Sequence, residues 1–417
     1  MINERVVELL IIGAGPAGMA AALRASQNGL QATVVDDNPT VGGQIWRGRI
    51  EQKWKPPKAV EILANSKAIA VDPLGRLARV VNNSETTTLR WKTLILATGT
   101  REIFLPFPGW TLPGIFGAGG LQALVKSGLP VAGKRVVIAG SGPLLLAVAS
   151  YLQKQGANVL LIAEQADTLT VLRFGCGLAR LPGKAIEAIR LKARLLRTLY
   201  RTHCWVERAE GEERLRSLCL RHRNRSFRVD CDFAGIAYGL ASNTELASLA
   251  GCRLENGAVQ VDEFQRSSIP GIFCAGEANG IGGVDLALVQ GEIAGLAAAG
   301  NWEAARSLFA RRETHLRFAR SLRPTFGLRK ELRGLPTPET IVCRCEDVRM
   351  GQLLQVDSWK AAKLYERCGM GPCQGRVCGP AVEFLFGWRQ DSVRPPIFPA
   401  NIGALLAEET TEAVETK

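Results

Sequence analysis

The chain has little of what most hydrolytic chemistry needs. Its 417 residues include three histidines, His203, His222 and His315, each in polar or basic surroundings with no acid or nucleophile patterned beside it. They read as surface residues, and neither a Ser-His-Asp relay nor a pair of catalytic carboxylates is expected. No apolar stretch reaches the roughly 18 residues of a bilayer-spanning helix, so no transmembrane segment is expected and only peripheral attachment stays open. A secretory signal is also missing: Met1 to Glu8 holds two acids, no apolar core precedes the first strand, and no small-residue cleavage site follows. A reducing cytoplasm is the expected compartment, which argues against disulfides.

Acids are scarce as well, 39 against 52 Lys and Arg, giving a net charge of +13. Much of that excess lies between Arg173 and Arg228, where aromatics are sparse. The stretch reads as a solvated helical face; the alternative is a docking surface for an acidic partner subunit, and nucleic acid is disfavoured. Glu408 to Lys417 reads as a frayed polar tail. With 47% apolar residues, a chain this long can bury the cores of two or three domains.

Val6 to Ile12 is a nearly continuous apolar run, as in a parallel strand buried on both faces, and it enters Gly13-Ala14-Gly15-Pro16-Ala17-Gly18 ahead of an Ala-rich helix. This is a dinucleotide fingerprint in its required context. Gly13 permits the tight turn, Gly15 admits a pyrophosphate at the helix N-terminus, and Gly18 lets helix and strand pack closely. A second strand, Ala32 to Val35, ends at Asp36 and Asp37, where an acid takes ribose hydroxyls.

A second unit of the same kind follows. Lys134 to Ala139 reads as a strand, Gly140-Ser141-Gly142-Pro143-Leu144-Leu145 as the turn, Leu146 to Gln153 as a helix, and Asn158 to Ala163 as a strand ending at Glu164. Leu145 stands where the fingerprint wants Gly or Ala. Three readings follow for Gly140, Gly142 and Glu164: a working NAD(P) site, a vestigial fold, or a site for another adenine nucleotide such as ATP.

Cysteine is absent before Cys176 and concentrated at the other end, as Cys343-x-Cys345 and Cys373-x4-Cys378 in the glycine-rich run from Cys368 to Gly379. Four thiolates so close complete an iron–sulfur centre, and the glycines let backbone N–H groups reach the cluster sulfurs. A structural zinc site uses the same ligands but usually through Cys-x-x-Cys, which neither pair has. Cys368 is either a spare thiol or a substitute ligand. Cys176, Cys204, Cys219, Cys231, Cys252 and Cys274 are scattered singly and read as buried small hydrophobes.

Three further segments, Val41-Gly42-Gly43-Gln44, Leu94 to Thr98-Gly99, and Gly271 to Gly276-Glu277, make residues 5 to 300 resemble the flavoproteins with two dinucleotide-binding domains, the class of glutathione reductase and ferredoxin reductases. The resemblance extends to Asn243-Thr244-Glu245-Leu246 and a strand at Val259 to Asp262. It implies that these segments meet the first fingerprint around FAD, with Glu277 in place of the usual Asp and a longer or different ribityl contact. Disulfide reductases of that class need a dithiol beside the flavin, and no early cysteine supplies one.

Phe107-Pro108-Gly109-Trp110-Thr111-Leu112-Pro113-Gly114, the turn at Gly140, Gly280 to Asp285, and the Cys-Arg-Cys-Glu module together resemble the FAD-containing α (A) subunits of heteromeric amine dehydrogenases: opine oxidase, D-hydroxyproline dehydrogenase and hydrogen cyanide synthase. That resemblance implies a bacterioferritin-associated-ferredoxin-like module with a [2Fe–2S] cluster on Cys343, Cys345, Cys373 and Cys378. It also implies a flavoprotein β subunit that oxidises the amine and a small ferredoxin-like γ subunit. The expected architecture is α/β, with a discontinuous FAD domain (1–105 and 240–310), a second nucleotide domain (106–239), a linker (311–340), a small helical iron–sulfur domain (341–395) and a tail (396–417). Two rival functions stay open: an NAD(P)H-dependent reductase and a non-catalytic structural or redox-sensing subunit.

Overall fold

A computed structural model describes residues 3–47, 54–82, 85–390 and 392–406; the expected tail from Glu408 to Lys417 lies outside them. The chain divides into two compact units. The first comprises Met1–Thr100, Ser242–Arg317 and Ser392–Lys417, the second Arg101–Ala241 and Phe318–Asp391.

In the first unit, strands Val60–Leu63, Ala32–Val35, Asn3–Ile12 and Glu85–Leu96 lie side by side in parallel. Ile272–Cys274 adds a parallel strand beside Leu94 to Leu96, while Ser66–Asp72 and Leu77–Asn82 form an antiparallel extension. Leu9 to Ile12 is buried on both faces and so shows no polar alternation, whereas Val6 near the start of the strand is exposed. Helix Pro16–Gln27 packs on helix Val284–Ala298, which is apolar nearly all round and buried accordingly. Gly291 and Gly295 make that contact possible, because a Cβ on either would strike the carbonyls of Ala17 and Ala21. Within it Glu292, almost fully buried, is paired with Arg24 and Arg311.

The strand expected over Val259 to Asp262 stops at Ala258–Val259. Asp262 Oδ1 accepts the amides of Phe264 and Arg266 at 2.9 Å, a local turn that competes with the strand ladder.

The second unit holds a five-stranded parallel sheet in the order Leu199–Arg201, Asn158–Glu164, Arg135–Gly140, Phe233–Ala237, Ile115–Gly117. The basic stretch from Arg173 is helical only as far as Arg194. Beyond it, Cys204–Glu210, Ser217–His222 and Arg225–Asp230 form an antiparallel sheet, so the expected continuous helical face is replaced by strands. The turn at Arg223, with φ +55°, closes the second hairpin.

The cysteine module belongs to this unit. It is a short hairpin, Ile341–Cys343 with Val348–Arg349, followed by helices Met350–Leu353, Trp359–Glu366 and Cys378–Phe386 around a core of Val342, Leu353, Trp359, Ala362 and Val382. Its Ala381, together with Leu332 from the preceding segment, packs into the same core as Phe107 and Trp110. Trp110 Nε1 donates to the Ile341 carbonyl at 2.6 Å, so the Phe107 to Gly114 segment seats the module. Among the described residues no helix is long and apolar enough to cross a membrane.

Candidate functional site: two glycine turns and a thiol array

The first fingerprint is built as its glycines require. A Cβ on Gly13, at φ +109°, would strike the Ala97 carbonyl, and one on Gly18 would strike that of Gly13. Gly15, the N-cap of helix Pro16–Gln27, faces open space with nothing within 4 Å of its Cβ direction. That space lies at a helix N-terminus, whose exposed N–H groups and dipole favour an anion. Asp36 is buried at the end of its strand and accepts from the amides of Ala14 (2.5 Å) and Asn38 (2.9 Å). Asp37 beside it is pushed up from its ordinary value by burial and by the Asp36 charge.

The distant segments converge on this turn. Gly43, at φ +56°, packs against Gly15, where a Cβ would lie 2.9 Å from its Cα, and Gly42 N donates to the Ala14 carbonyl; Gln44 is exposed beyond them. Gly276 abuts Ala17, its missing Cβ falling 2.7 Å from that methyl. Thr98 and Asn243 lock reciprocally, Thr98 Oγ1 to the Asn243 carbonyl at 2.6 Å and Asn243 Nδ2 to the Thr98 carbonyl at 2.9 Å. The Glu277 carboxylate accepts from Thr100 Oγ1 at 2.8 Å and Gly283 N at 3.2 Å, so it braces its neighbours. Thr100, Gln290 and Asn279 escape sequence reasoning: the partner of Thr100 is far away in the chain, and Gln290 and Asn279 lie in no motif of their own. Gln290 accepts from Gly276 N at 3.2 Å, and the buried Asn279 Oδ1 has no hydrogen-bond partner. An open glycine turn, a buried acid at the end of the second strand and a buried amide oxygen fit a bound dinucleotide.

The second fingerprint is filled from within the chain. Gly140 makes its turn at φ +140° and Leu145 is fully buried in the apolar core, accommodated without a glycine. The Phe326 ring lies 3.8 Å from where a Gly142 Cβ would be, and it stacks edge-on with Phe174 at 5.0 Å. Ser141 Oγ lies 3.1 Å from the Phe326 carbonyl and Gln165 Nε2 donates to the Gly327 carbonyl at 3.0 Å, while Gln165 Oε1 accepts from Arg329 N at 3.2 Å. Glu164 is buried and accepts from Gly142 N (2.7 Å), Ala166 N (2.8 Å) and Ser141 Oγ (3.1 Å); burial pushes its carboxyl up to about 7. Arg329 stacks over Trp205 at 4.4 Å and meets His203 Nε2 at 3.1 Å, so this histidine is partnered. Gln165→Leu leaves the Gly327 carbonyl and Arg329 amide without partners and should cost about 1–3 kcal/mol in urea unfolding, with FAD content unchanged.

The thiols of Cys343, Cys368 and Cys378 are buried and lie within 4.8 Å of one another. Cys373, half-buried, contacts both Cys378 and Cys345, and Cys345 is exposed. The thiols close enough to share a metal are thus two of the sequence-predicted ligands, Cys343 and Cys378, together with Cys368; the other two, Cys345 and Cys373, adjoin this group through the Cys373–Cys378 contact and are not part of it. Hydrogen bonds from Cys368 and Cys378 hold the Cys343 thiol down to about 2, and the same contacts push Cys378 up. Backbone amides of Gly369 and Glu346 point at Cys343, and those of Val377 and Gly375 at Cys373. Trp359 packs against Gly369 and Gly375, where side chains would collide with its indole ring. Arg101 Nε donates to the Arg376 carbonyl at 3.0 Å, fixing the loop between Cys373 and Cys378. A thiolate array ringed by N–H donors fits an iron–sulfur centre. Of the six scattered cysteines, five are buried as expected. Cys176 is exposed instead, on a helix with no buried residue.

Fold and first site define a flavoprotein of the two-dinucleotide-domain class. The chain belongs to the pyridine nucleotide-disulphide oxidoreductase family, matched over residues 7–294, and groups within it with the A subunit of opine oxidase and the HcnB subunit of hydrogen cyanide synthase. It is 30% identical to the opine oxidase A chain of Rhizobium meliloti over 95% of this chain and 97% of that one. Against HcnB of Pseudomonas aeruginosa the identity is 30%, over 88% and 90%. The crystal structure of L-proline dehydrogenase from P. horikoshii shares the fold, with a TM-score of 0.71 at 21% identity over 97% of this chain and 80% of that one.

Proposed function

We propose that this chain is the electron-transfer subunit, carrying FAD and a [2Fe–2S] cluster, of a multi-subunit dehydrogenase whose flavoprotein β subunit oxidises an amine or imino acid. A small ferredoxin-like γ subunit is a further partner. The observation that carries this reading is the contrast between the two glycine turns: Gly15 faces open space, whereas Gly142 is covered by Phe326. A subunit reduced by NAD(P)H needs the second turn open, while one reduced through a partner does not. Opine, D-hydroxyproline-like and glycine substrates are the candidates, the first supported by the opine oxidase relatives.

Bound FAD accepts electrons in pairs and releases them singly, and an iron–sulfur cluster carries one at a time. The residues divide the remaining work. The N-terminal amides beyond Gly15 would receive the pyrophosphate, and Asp36 the ribose hydroxyls. The Thr98–Asn243 lock and the braced Glu277 hold the later segments against the turn. The cysteine thiolates would hold the irons, with the amides of Gly369, Glu346, Val377 and Gly375 stabilising the reduced state.

Purification with co-purifying chains identified by mass spectrometry tests the reading. The expected result is a flavoprotein partner, with flavin and iron absorption bleached by one of the candidate amines. A chain that purifies alone and reduces an acceptor with NADH refutes it.

A further inference from the structure

The thiol array has two unequal ends. One holds Cys343, Cys368 and Cys378, buried and all within 4.8 Å of one another; the other holds Cys345 and Cys373, in contact with each other. Tetrahedral metal–sulfur bonds of about 2.3 Å set two thiolates on one metal about 3.8 Å apart, so any two of the first three could share an iron with small shifts. A binuclear cluster takes four cysteines, two on each iron. Five thiols for four seats leave one over, and the surplus lies at the buried end.

Resting on the iron–sulfur reading above, we propose that Cys368 is a reserve ligand, poised to take the seat of Cys378 or Cys343 when either is lost. Cys368 is fully buried beside both. The turn that carries it is held by its own amide, which donates to the Ala362 carbonyl at 3.0 Å, and by Gly369, at φ +81° against Trp359. The Fe–S bond to the lost ligand is the one broken and the bond to the Cys368 sulfur the one formed, with release of the Cys368 thiol proton, so the cluster keeps four thiolates and its charge. At the exposed end the thiol contacts of Cys345 and Cys373 are with each other and with Cys378, and Cys368 makes none there.

The test compares iron, acid-labile sulfide and the electron paramagnetic resonance of dithionite-reduced protein across variants of the full chain, prepared without air, with FAD content as the index of folding. Wild type, Cys368→Ser and Cys378→Ser should each hold about two irons per chain, the last with shifted g values. Cys378→Ser combined with Cys368→Ser should lose most of its iron, and Cys345→Ser should do so alone. Should Cys378→Ser fail to retain FAD, Cys343→Ser with and without Cys368→Ser gives the same comparison. The inference fails if the single variants are as empty of iron as the double ones, or if Cys345→Ser keeps its cluster. A wild type containing zinc, or neither iron nor sulfide, removes the iron–sulfur reading itself.

Discussion

Gly15→Val should yield a folded but colourless protein. The position has nothing within 4 Å of its Cβ direction and ordinary backbone angles, φ −73° and ψ −175°, so an added Cβ meets no neighbour in the protein. It does meet the ligand, because the backbone of the second fingerprint glycine is what a pyrophosphate approaches. The substitution thus separates binding from folding, which the same change at Gly13 or Gly18 would not, since a Cβ there collides with backbone carbonyls. The expected result is near-complete loss of flavin absorbance with circular dichroism and iron content unchanged. Stoichiometric FAD in the purified variant would overturn the assignment.

Cys373→Ser should empty the cluster and spare the flavin. Cys373 touches both Cys378 and Cys345 and so joins the two ends of the array, and it stands at the end without a spare thiol. Serine keeps the shape but is a poor ligand to iron, and the Val377 and Gly375 amides would then face an oxygen. Iron should fall from about two per chain to a small fraction, while FAD, whose proposed site lies in the other unit, stays stoichiometric. Retention of iron in Cys373→Ser with full FAD occupancy would mean that the ligands lie elsewhere.

The first nucleotide turn is legible in the sequence because its signals are local and ordered: strand, glycines, Ala-rich helix, strand, acid. The cysteine array is legible through spacing, apart from Cys368, whose role depends on how its turn folds back on Cys343. What covers Gly142 is not legible, because Phe326 and Gly327 come from a segment expected to be a linker, and nothing in their own sequence marks them as the filling of a distant turn. Leu145 hints at an altered site, yet the structure buries it in the core, and the closure comes from Phe326 and Gln165. Past Arg194 the dense basic charge masks the short apolar alternations of residues 204 to 230, which pack one face of a hairpin sheet inward.

The central claim is that electrons reach this chain through a partner and not from a nicotinamide. Stopped-flow absorbance at the flavin band, with the isolated chain mixed against NADH and NADPH and the assembled complex against each candidate amine, tests it most directly. The account predicts no nicotinamide-driven bleaching on the timescale of turnover, and rapid bleaching of the complex by one amine. Fast reduction of the isolated chain by NADH or NADPH would contradict it.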